Sequence, residues 1–391
     1  MTLTPTEFLK TTNHAAEHFG FQTIDELRKN PECRECPKPM AHQITGRNKR
    51  VDEQHGLLGS GVVTYCEEKL HSLGRPVLLY TITHMPRTSE PAVTFPIFNV
   101  EPTIAEALLI QTTRAIANDL GFSDHTVRIN SLGDTDSVTR YNRELTNFLK
   151  KRIDAMSPAA RERMKEHPLL ALQQLIAEEH ELGFRSPNPL EYLSDQSRRH
   201  FREIIEFLDM SDTPYEIDPK MLGHHECYSD AIFALDLPEL DSREHSPALA
   251  IRGGRFDEFV YRMTKTRTPA VGAVVTLKHA KAPSRFPRNK RSTPSVYVAQ
   301  LGFAPKIRSL LLIDKLKQAG IPVHHDLASD SLSAQLRDAE ARQVKFTLIV
   351  GQKEFVEDTV IFRDMAARNQ EYLPQQDLIK RLKRRASIAR R

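Results

Sequence analysis

The sequence predicts a mixed α+β protein made of two domains. Three observations indicate this: a strand, a loop and a strand occupy 76–100, a helical stretch covers 137–210, and strands alternate with helices beyond 296. Such alternation predicts a small α/β sheet that is parallel at least in part. A segment rich in proline and basic residues, 281–295, separates the two regions and is typical of an interdomain linker.

The composition is that of an ordinary globular protein. Its 391 residues, 39% of them hydrophobic, are enough for two or three domains with buried cores. No apolar run approaches the roughly 20 residues that cross a bilayer, and the start of the chain lacks the basic and apolar regions of a secretion signal. Four cysteines are too few for a disulfide scaffold. We therefore expect a cytoplasmic protein that does not enter a membrane.

Local patterns predict the elements of the N-terminal region. Apolar residues at helical spacing predict a helix over 5–30 that breaks at Gly20 and Phe21. A glycine-containing turn that feeds a helix is predicted over 56–70. The remaining predictions are strands at 76–83 and 92–100, a helix at 105–120, helices within 137–210, and a strand at 215–219.

The C-terminal region is predicted to alternate between strands and helices. The predicted order is strand 296–300, helix 307–319, strand 323–326, helix 332–342, strand 346–350 and strand 360–363. The formal net charge of the chain is only +4, but basic residues gather at 281–291 and at the C-terminal end. This asymmetry favours a polyanionic partner. The basic end, 373–391, is interpreted either as a helix or tail lying on phosphates or as a solvated terminus.

The most informative stretch lies between residues 251 and 277. Gly253 and Gly254 have no Cβ atoms, so a ligand or a second backbone can approach a strand closely there. Residues 268–272 then read Thr-Pro-Ala-Val-Gly and open an apolar run. Either segment alone is compatible with an ordinary tight turn, so their order and spacing carry the argument.

Together these segments resemble the last conserved motif of class II aminoacyl-tRNA synthetases, most closely that of the histidyl-tRNA synthetase family. The strand, loop and strand with Arg87 at the turn are similar to the second class II motif, and segments 127–133 and 215–219 also resemble family segments in the same order. Residues 19–24 match the first motif only in part, because no proline follows them directly. The resemblance implies an antiparallel-sheet catalytic domain with a helical insertion, followed by an α/β anticodon-binding domain.

The resemblance also implies boundaries and an assembly. The expected parts are a catalytic-like domain over 1–280 with its insertion at 137–210, a linker over 281–295, an anticodon-binding-like domain over 296–372, and a basic tail over 373–391. Class II folds of this kind pair through the N-terminal domain, so we expect a homodimer.

Site residues follow from the resemblance position by position. Arg87 matches the catalytic arginine that holds the α-phosphate of ATP, a task suited to a planar guanidinium. The positions expected to bind nucleotide are Arg87, Glu90, Lys278 and His279, and those of the amino-acid pocket are Ser60, Ile97, Glu101, Gly223, Tyr228, Gly253, Gly254 and Arg255. The basic residues expected to contact tRNA are Arg308, Arg337, Lys380, Arg381, Lys383, Arg384 and Arg385. The implied cofactors are ATP with Mg²⁺, and the implied partner is tRNA.

Four of these positions depart from the family pattern. Gly223 stands where the family has an arginine on the α-phosphate, and Ser60 stands where a glutamate recognises the amino acid. Ile97 replaces a glutamine, and His279 replaces the arginine that contacts the γ-phosphate from the helix after Thr-Pro-Ala-Val-Gly. Because the loss of one such donor typically costs about 10² to 10³ in rate, we expect histidine activation to be nearly abolished.

Two clusters carry groups that bind metal ions. Cys33 and Cys36 form either half of a zinc site, completed in space by a residue such as His42 or Cys66, or a reduced surface loop. The run 224–227 offers imidazole, carboxylate and thiolate groups, but neighbours on a strand point to opposite faces and rarely chelate one ion. We therefore predict no metal site, and we interpret the second cluster as a reshaped amino-acid pocket.

Three functions remain open at this point, and whether the chain is an enzyme is one of the open questions. The first is a divergent member of the family that binds tRNA and a nucleotide without efficient histidine activation. The second is an active ATP-dependent ligase for histidine or another amino acid. The third is a regulatory subunit like that of ATP phosphoribosyltransferase, which uses the same fold to bind an enzyme partner. That regulator normally lacks the C-terminal domain, so the predicted domain beyond 296 counts against the third function.

Overall fold

Eight strands of the N-terminal region form one sheet. The computed structural model describes residues 3–28, 53–100, 103–237, 248–284 and 294–388. The strands are β1 Val77–Leu78, β2 Thr81–His84, β3 Pro91–Phe98, β4 Thr126–Ser131, β5 Tyr215–Ile217, β6 Ser229–Asp236, β7 Ala248–Arg255 and β8 Ala270–Lys278. Their order is β1-β3-β8-β7-β6-β4-β5, with β2 also paired to β3. Neighbours are antiparallel except β4 with β5, so the predicted antiparallel sheet is confirmed.

Ten α-helices accompany the described part of this sheet. They are α1 Pro5–His18, α2 Ile24–Arg28, α3 Glu53–Glu67, α4 Ile104–Asp119, α5 Thr135–Lys150, α6 Pro158–Glu166, α7 Pro168–Ala177, α8 Glu181–Phe184, α9 Asp195–Met210 and α10 Asp257–Thr264. Helices α5 to α9 lie between β4 and β5 and occupy the stretch that was predicted to be helical. Helices α5 to α8 have a small core of their own.

Each face of the sheet is covered by different helices, because side chains alternate along every strand. On β8, Val271, Ala273 and Val275 belong to the core under α1, α4 and α9, which we call the α4 face. Ala270 and Val274 belong to the core under α3 and α10, which we call the α3 face.

Helix α3 begins before Gly56 and continues to Glu67, so the predicted glycine-containing turn was wrong, whereas the helix predicted after it is present. Glycines within a helix cost roughly 0.5–1 kcal/mol each relative to alanine, which is why the sequence alone favours a turn. Here they permit close packing: a Cβ on Gly61 would lie 3.0 Å from a side-chain carbon of Pro96, and one on Gly59 would lie 3.4 Å from Phe259. The burial of Leu58 and Val62 against the sheet offsets the unfavourable helix propensity.

Strand β8 differs from the family pattern that the resemblance implied. The strand continues from Ala270 to Lys278, where the resemblance implies that a helix follows Thr-Pro-Ala-Val-Gly. Its run of β-branched residues, Val274–Thr276, favours a strand. Both edges are hydrogen-bonded, one to β3 and the other to β7, so the extended backbone is satisfied along almost its whole length.

Smaller differences concern the ends of elements. The predicted strand at 76–83 is divided at Leu79 and Tyr80. The backbone N–H of Leu79 donates to the carbonyl oxygen of Pro96, whereas that of Tyr80 donates to Gln22, outside the sheet. The predicted helix over 5–30 is two helices, α1 and α2, that are separated at Gly20, where φ is +84°. The predicted helix at 105–120 and strands at 92–100 and 215–219 are present with ends shifted by one or two residues.

The C-terminal region forms a five-stranded sheet with four helices. Its elements are β9 Val296–Gln300, α11 Phe303–Gln318, β10 Val323–His325, α12 Leu332–Ala341, β11 Phe346–Val350, α13 Gln352–Val356, β12 Thr359–Asp364, β13 Asn369–Pro374 and α14 Gln375–Ile388. The order is β10-β9-β11-β12-β13, and the first three strands are parallel. The sequence did not predict β13, whose residues are mostly polar and exposed. The basic end is a helix, α14, and Leu378 and Leu382 anchor it in the core.

The two regions pack against each other through α11 and α4. A ring nitrogen of His18 lies 2.9 Å from the carbonyl oxygen of Ile313, and Lys317 forms an ion pair with Asp119. Among the residues described, none of the helices combines the length and the apolar character that crossing a membrane requires.

Candidate functional site

The α3 face of the sheet carries the glycines around which the candidate site was predicted. A Cβ on Gly272 would lie 2.9 Å from a methyl carbon of Leu58 and 2.8 Å from the ring of Phe256. A Cβ on Gly254 would lie 2.9 Å from the ring of Tyr228 and 2.7 Å from a backbone oxygen. Glycine is therefore required at both positions because the protein's own side chains fill the space above the strands.

Two predicted pocket residues on this face are engaged within the protein. The hydroxyl of Ser60 donates a hydrogen bond of 2.7 Å to the carbonyl oxygen of Leu57, one turn earlier in α3. Gly223 adopts φ +58° and lies against the ring of Tyr228, and its carbonyl oxygen accepts a hydrogen bond from Gln173 of the insertion. A residue with a side chain at position 223 would strain the backbone and clash with this ring. An arginine is therefore not accommodated in this conformation.

The other predicted pocket residues lie on the opposite side of the sheet or outside the described residues. Ile97 belongs to the core of the α4 face and is 1% exposed. A Cβ on Gly253 would lie 2.6 Å from the ring of Phe233, also on the α4 face. Glu101 falls outside the described residues. The structure therefore brings Tyr228, Gly223 and Gly254 together but separates them from Ile97 and Gly253.

Arg255 is the centre of a buried ionic network on the α4 face. Its guanidinium donates two hydrogen bonds to Glu106 of α4, of 2.6 and 2.9 Å, and also lies 3.3 Å from a carboxylate oxygen of Asp257. Nε2 of His200, from α9, lies 3.0 Å from Glu106. The network links α4, α9 and β7. Arg255 was predicted to line the amino-acid pocket, but its guanidinium is occupied by these ion pairs.

The charges of this network depend on one another. Burial by itself would raise the pKa of Glu106, but Arg255 and His200 lower it to about 2. Burial disfavours the charged form of His200, whereas Glu106 raises its pKa above the usual value. Burial raises the pKa of Asp257 despite the neighbouring Arg255. Glu106 is therefore an anion throughout the neutral range, and its closest partner, Arg255, is only 4% exposed.

Sequence reasoning missed Glu106 and His200. The signal for Glu106 was present: a single carboxylate stands in the apolar run Ile104–Ile110 of a helix that is buried on nearly every side. Charged groups are almost never buried fully unless they are paired, so this position required a cation elsewhere in the chain. Its partner Arg255 lies 149 residues away, which no local pattern could indicate.

The residues predicted to bind nucleotide meet at another edge of the sheet. A carboxylate oxygen of Glu90 accepts a hydrogen bond of 2.8 Å from the backbone N–H of His279, and the other accepts one of 2.9 Å from Thr88. Arg87, in the same turn, and Lys278 are exposed. These predicted residues therefore lie close together in the structure. The turn at residues 88–89 lies beside them and was not predicted to be part of the group.

This edge lies away from the glycines of the α3 face. Lys278 lies six residues beyond Gly272 on β8, which corresponds to about 20 Å of extended chain. Leu58 and Phe256 fill the space over Gly272, so a ligand cannot approach the strand there in this conformation. Cations at this edge can attract phosphate, and nucleotide binding by these residues stays a prediction.

The predicted histidine cluster forms a stack with a third imidazole. The ring of His225 lies 4.5 Å from that of His167 and 4.8 Å from that of His224, with interplanar angles of 26° and 30°. Nδ1 of His167 and Nδ1 of His224 accept backbone hydrogen bonds. Burial and then the neighbouring imidazoles lower the pKa of His225 to about 4.

Stacked rings direct their in-plane nitrogens side by side and not towards one point, so this stack is poorly arranged to chelate an ion. Within the described parts of the chain, no group of three or more His, Cys, Asp or Glu side chains is placed to hold a metal. Cys33, Cys36 and His42 lie outside the described residues.

The basic residues predicted to contact tRNA fall into two groups. Arg308 and Arg381 form ion pairs with Asp358 and Glu371. The exposed group consists of Arg337 on α12 and of Lys380, Lys383 and Arg384 on α14. The side chain of Arg385 is outside the described residues.

Helix α14 presents its exposed cations on one side. Positions 380, 383 and 384 share one face of a helix, opposite Leu378 and Leu382, which are buried. A phosphate backbone could therefore approach this helix without disturbing its packing.

The β13 edge of the second sheet adds an exposed aromatic residue that was not predicted. The ring of Tyr372 is 55% exposed, and the ammonium group of Lys353 lies 5.2 Å from its centre. Exposed aromatic rings beside cations are the usual platform for unstacked bases.

Comparisons with known proteins agree with this architecture. The sequence profile of a family described as "Anticodon binding domain" matches residues 306–385. The histidine–tRNA ligase of Geobacillus sp. (strain WCH70) is 27% identical over 344 residues, which cover 83% of this chain and 80% of the relative. That of Streptococcus mutans serotype c (strain ATCC 700610 / UA159) is 28% identical over 310 residues, covering 75% and 71%.

A solved structure has the same fold. The apo histidyl-tRNA synthetase of S. aureus superposes with a TM-score of 0.52 at 16% sequence identity, covering 95% of this chain and 94% of that one. At this identity the similarity concerns the fold alone.

Proposed function

We propose that this chain is a member of the histidyl-tRNA synthetase family of class II that binds tRNA through its C-terminal domain and does not activate histidine. The observation that carries the second half of the proposal is the filled α3 face. Leu58 of α3 packs where Gly272 lacks a side chain, and Tyr228 packs over Gly254. These side chains leave no room for an amino acid or a nucleotide against the two glycines, and four of the family's polar contacts are also replaced.

The surface of the C-terminal domain supports the tRNA half of the proposal. Helix α14 presents Lys380, Lys383 and Arg384 to solvent, which suits contacts to phosphates. Tyr372 of β13 and Lys353 of α13 offer a stacking surface. Phosphate contacts position an RNA without reading its sequence, whereas stacked and edge-contacted bases give discrimination. We therefore assign affinity mainly to α14 and selectivity to the surface around Tyr372.

We expect substitutions on the two surfaces to change tRNA affinity and its salt dependence in different ways. Replacing Lys380, Lys383 and Arg384 together by glutamine should weaken the binding of all tRNAs similarly. It should also reduce the slope of the logarithm of the association constant against log salt by about 2 to 3. Tyr372→Ala should leave that slope unchanged. If one base stacks on the ring, it should reduce the free energy of tRNA binding by about 1–3 kcal/mol. Fluorescence titration of the full chain with labelled tRNA over a salt series measures both quantities.

The chain offers a matched control for each change. Tyr261, in the N-terminal domain, is 39% exposed and has the guanidinium of Arg267 at 5.7 Å, so Tyr261→Ala removes a similar ring from another place. Glutamine at the exposed positions 150, 151 and 152 removes three charges from the insertion. If the full chain binds tRNA no better than an unrelated protein of equal charge at about 150 mM salt, the tRNA proposal fails and a protein partner becomes the better hypothesis.

We also propose that the chain is a homodimer, and this part rests on family membership. A mass close to twice 44.6 kDa is expected by light scattering at micromolar concentration. A mass of a single chain would contradict the proposed assembly without affecting the tRNA proposal.

A further inference from the structure

A cavity of about 350 Å³ lies between the first sheet and the C-terminal domain. One wall belongs to the α4 face and includes Leu78, Ile97 and Leu108. The other wall belongs to the C-terminal domain and includes the start of the loop after β10 and the end of α12. Ligand sites occur preferentially at domain interfaces, and this volume is near the lower end of their usual range of about 300–1,000 Å³. The cavity is therefore large enough for a small metabolite.

The wall on the α4 face is apolar. Ile97, Ile104 and Leu108 are each at most 5% exposed, and only hydrocarbon groups of these side chains can meet a ligand. Water in such a place lacks polar partners, so an apolar group that replaces it is favoured. A ligand that fits must present a hydrocarbon body to this side.

The remaining lining carries charges of both signs. Arg75 contributes a guanidinium from the first domain, and Asp326 contributes a carboxylate from the second. The Nε–H of Arg342 is shared between the two carboxylate oxygens of Asp338, at 2.9 and 2.8 Å, so the charges of this pair largely compensate each other. Two cations and two anions give the lining a formal charge of zero.

A neutral imidazole completes the polar side. The ring of His325 lies 3.3 Å from the position that a Cβ on Gly20 would take, and one ring nitrogen faces the backbone of Phe19 at hydrogen-bonding range. Burial, and then the nearby His18, lowers the pKa of His325 to about 3, so it adds no charge near neutral pH. Its other ring nitrogen can form a hydrogen bond with a ligand.

We propose that this cavity binds a free α-amino acid with an apolar side chain. Such a ligand has no net charge, which matches the lining. Its carboxylate can pair with Arg75, its ammonium group with Asp326, and its side chain can lie against Ile97 and Leu108. A nucleotide or a dicarboxylate would bring a net negative charge that this lining does not neutralise. The site lies on the face opposite Gly254 and Tyr228, and the inference does not depend on the proposed tRNA binding.

Calorimetric titration of the full chain with L-leucine and L-phenylalanine tests the proposal. We expect saturable binding of at least one of them. N-acetyl-L-leucine lacks the ammonium group and isoamylamine lacks the carboxylate, and each should bind at least about tenfold more weakly than leucine, because a charge-assisted hydrogen bond is lost. Equal binding of leucine and both analogues would refute the assigned recognition of a zwitterion.

Two variants place the ligand in this cavity. Ala328→Phe adds a ring to the lining and should abolish binding, whereas Ala366→Phe adds the same ring at an exposed turn and should not. Arg75→Gln should weaken binding about tenfold, and Arg143→Gln, at an exposed site on α5, should leave it unchanged. The absence of saturable binding up to about 10 mM, a preference for charged amino acids, or binding indifferent to both Ala328→Phe and Arg75→Gln would each overturn the proposal.

Discussion

Replacing Glu106 by glutamine is expected to destabilise the protein by about 3–5 kcal/mol. The substitution keeps the shape of the side chain but removes its charge. Arg255, whose side chain is 4% exposed, then remains buried and loses its closest counter-ion. The midpoint of urea unfolding, followed by circular dichroism, should fall markedly. The double variant Glu106→Gln with Arg255→Met should recover part of the loss, because no unpaired guanidinium remains buried.

Glu162→Gln provides the control for this result. Glu162 pairs with Lys165 on α6 at 2.6 Å, but both side chains are about 70% exposed. An exposed pair contributes about 0–1 kcal/mol, so this variant should unfold almost like the original chain. A loss at Glu106 no larger than that at Glu162 would show that the buried network does not stabilise the fold.

The same network predicts how stability depends on pH. The folded pKa of Glu106, about 2, is below its ordinary value of 4.5, so its contribution is complete above pH 4.5 and is lost as the pH falls towards 2. The folded pKa of His200 is raised from 6.5, so its contribution is complete below pH 6.5 and is lost as the pH rises through the folded value. Glu106→Gln should reduce both dependences, because His200 also loses its counter-ion.

Histidine-dependent pyrophosphate exchange is expected to be at least about 10⁴-fold slower than in an active synthetase. This figure corresponds to the loss of two contacts, at about 10² each, and four positions depart from the family pattern. The geometry points the same way, because the Ser60 hydroxyl is bonded within α3 and Ile97 lies in the hydrophobic core.

The exchange assay should run over all amino acids beside an active histidine–tRNA ligase, such as that of Streptococcus mutans. Folded protein that still binds tRNA but gives no exchange would satisfy both halves of the proposal. Exchange with histidine at a comparable rate would mean that α3 leaves the face in solution. Exchange with another amino acid would favour the second sequence-based hypothesis, an altered ligase.

Much of the fold could be predicted because its cues are local or ordered along the chain. Runs such as Phe346–Val350 combine β-branched and apolar residues, and the predicted and observed strand ends coincide there. The glycine pair and Thr-Pro-Ala-Val-Gly identify the fold through their order. The glycine-rich segment 56–61 was misread because its helix depends on contacts with Pro96 and Phe259, which lie far away in sequence. Tertiary packing overrides local propensity in such segments.

The candidate site was harder to predict than the fold. Grouping by resemblance placed Ile97 and Tyr228 in one pocket, whereas the alternation of side chains on the strands puts them on opposite faces of the sheet. Arg87, Glu90 and His279 were grouped correctly in space, since a hairpin turn and the end of a neighbouring strand necessarily meet. What they bind stays a prediction, because residue proximity does not identify a ligand.

The hydrophobic core does not end where the linker begins. Ile307 and Leu310 of α11 belong to the same continuous cluster as Ala16 of α1 and Ile116 of α4. Opening either domain would therefore expose apolar surface of the other, at about 25 cal/mol for each Å². The two domains should consequently behave as one cooperative folding unit, in which damage to the Glu106 network also loosens the C-terminal domain. The linker separates two domains in sequence, but it does not make their stabilities independent.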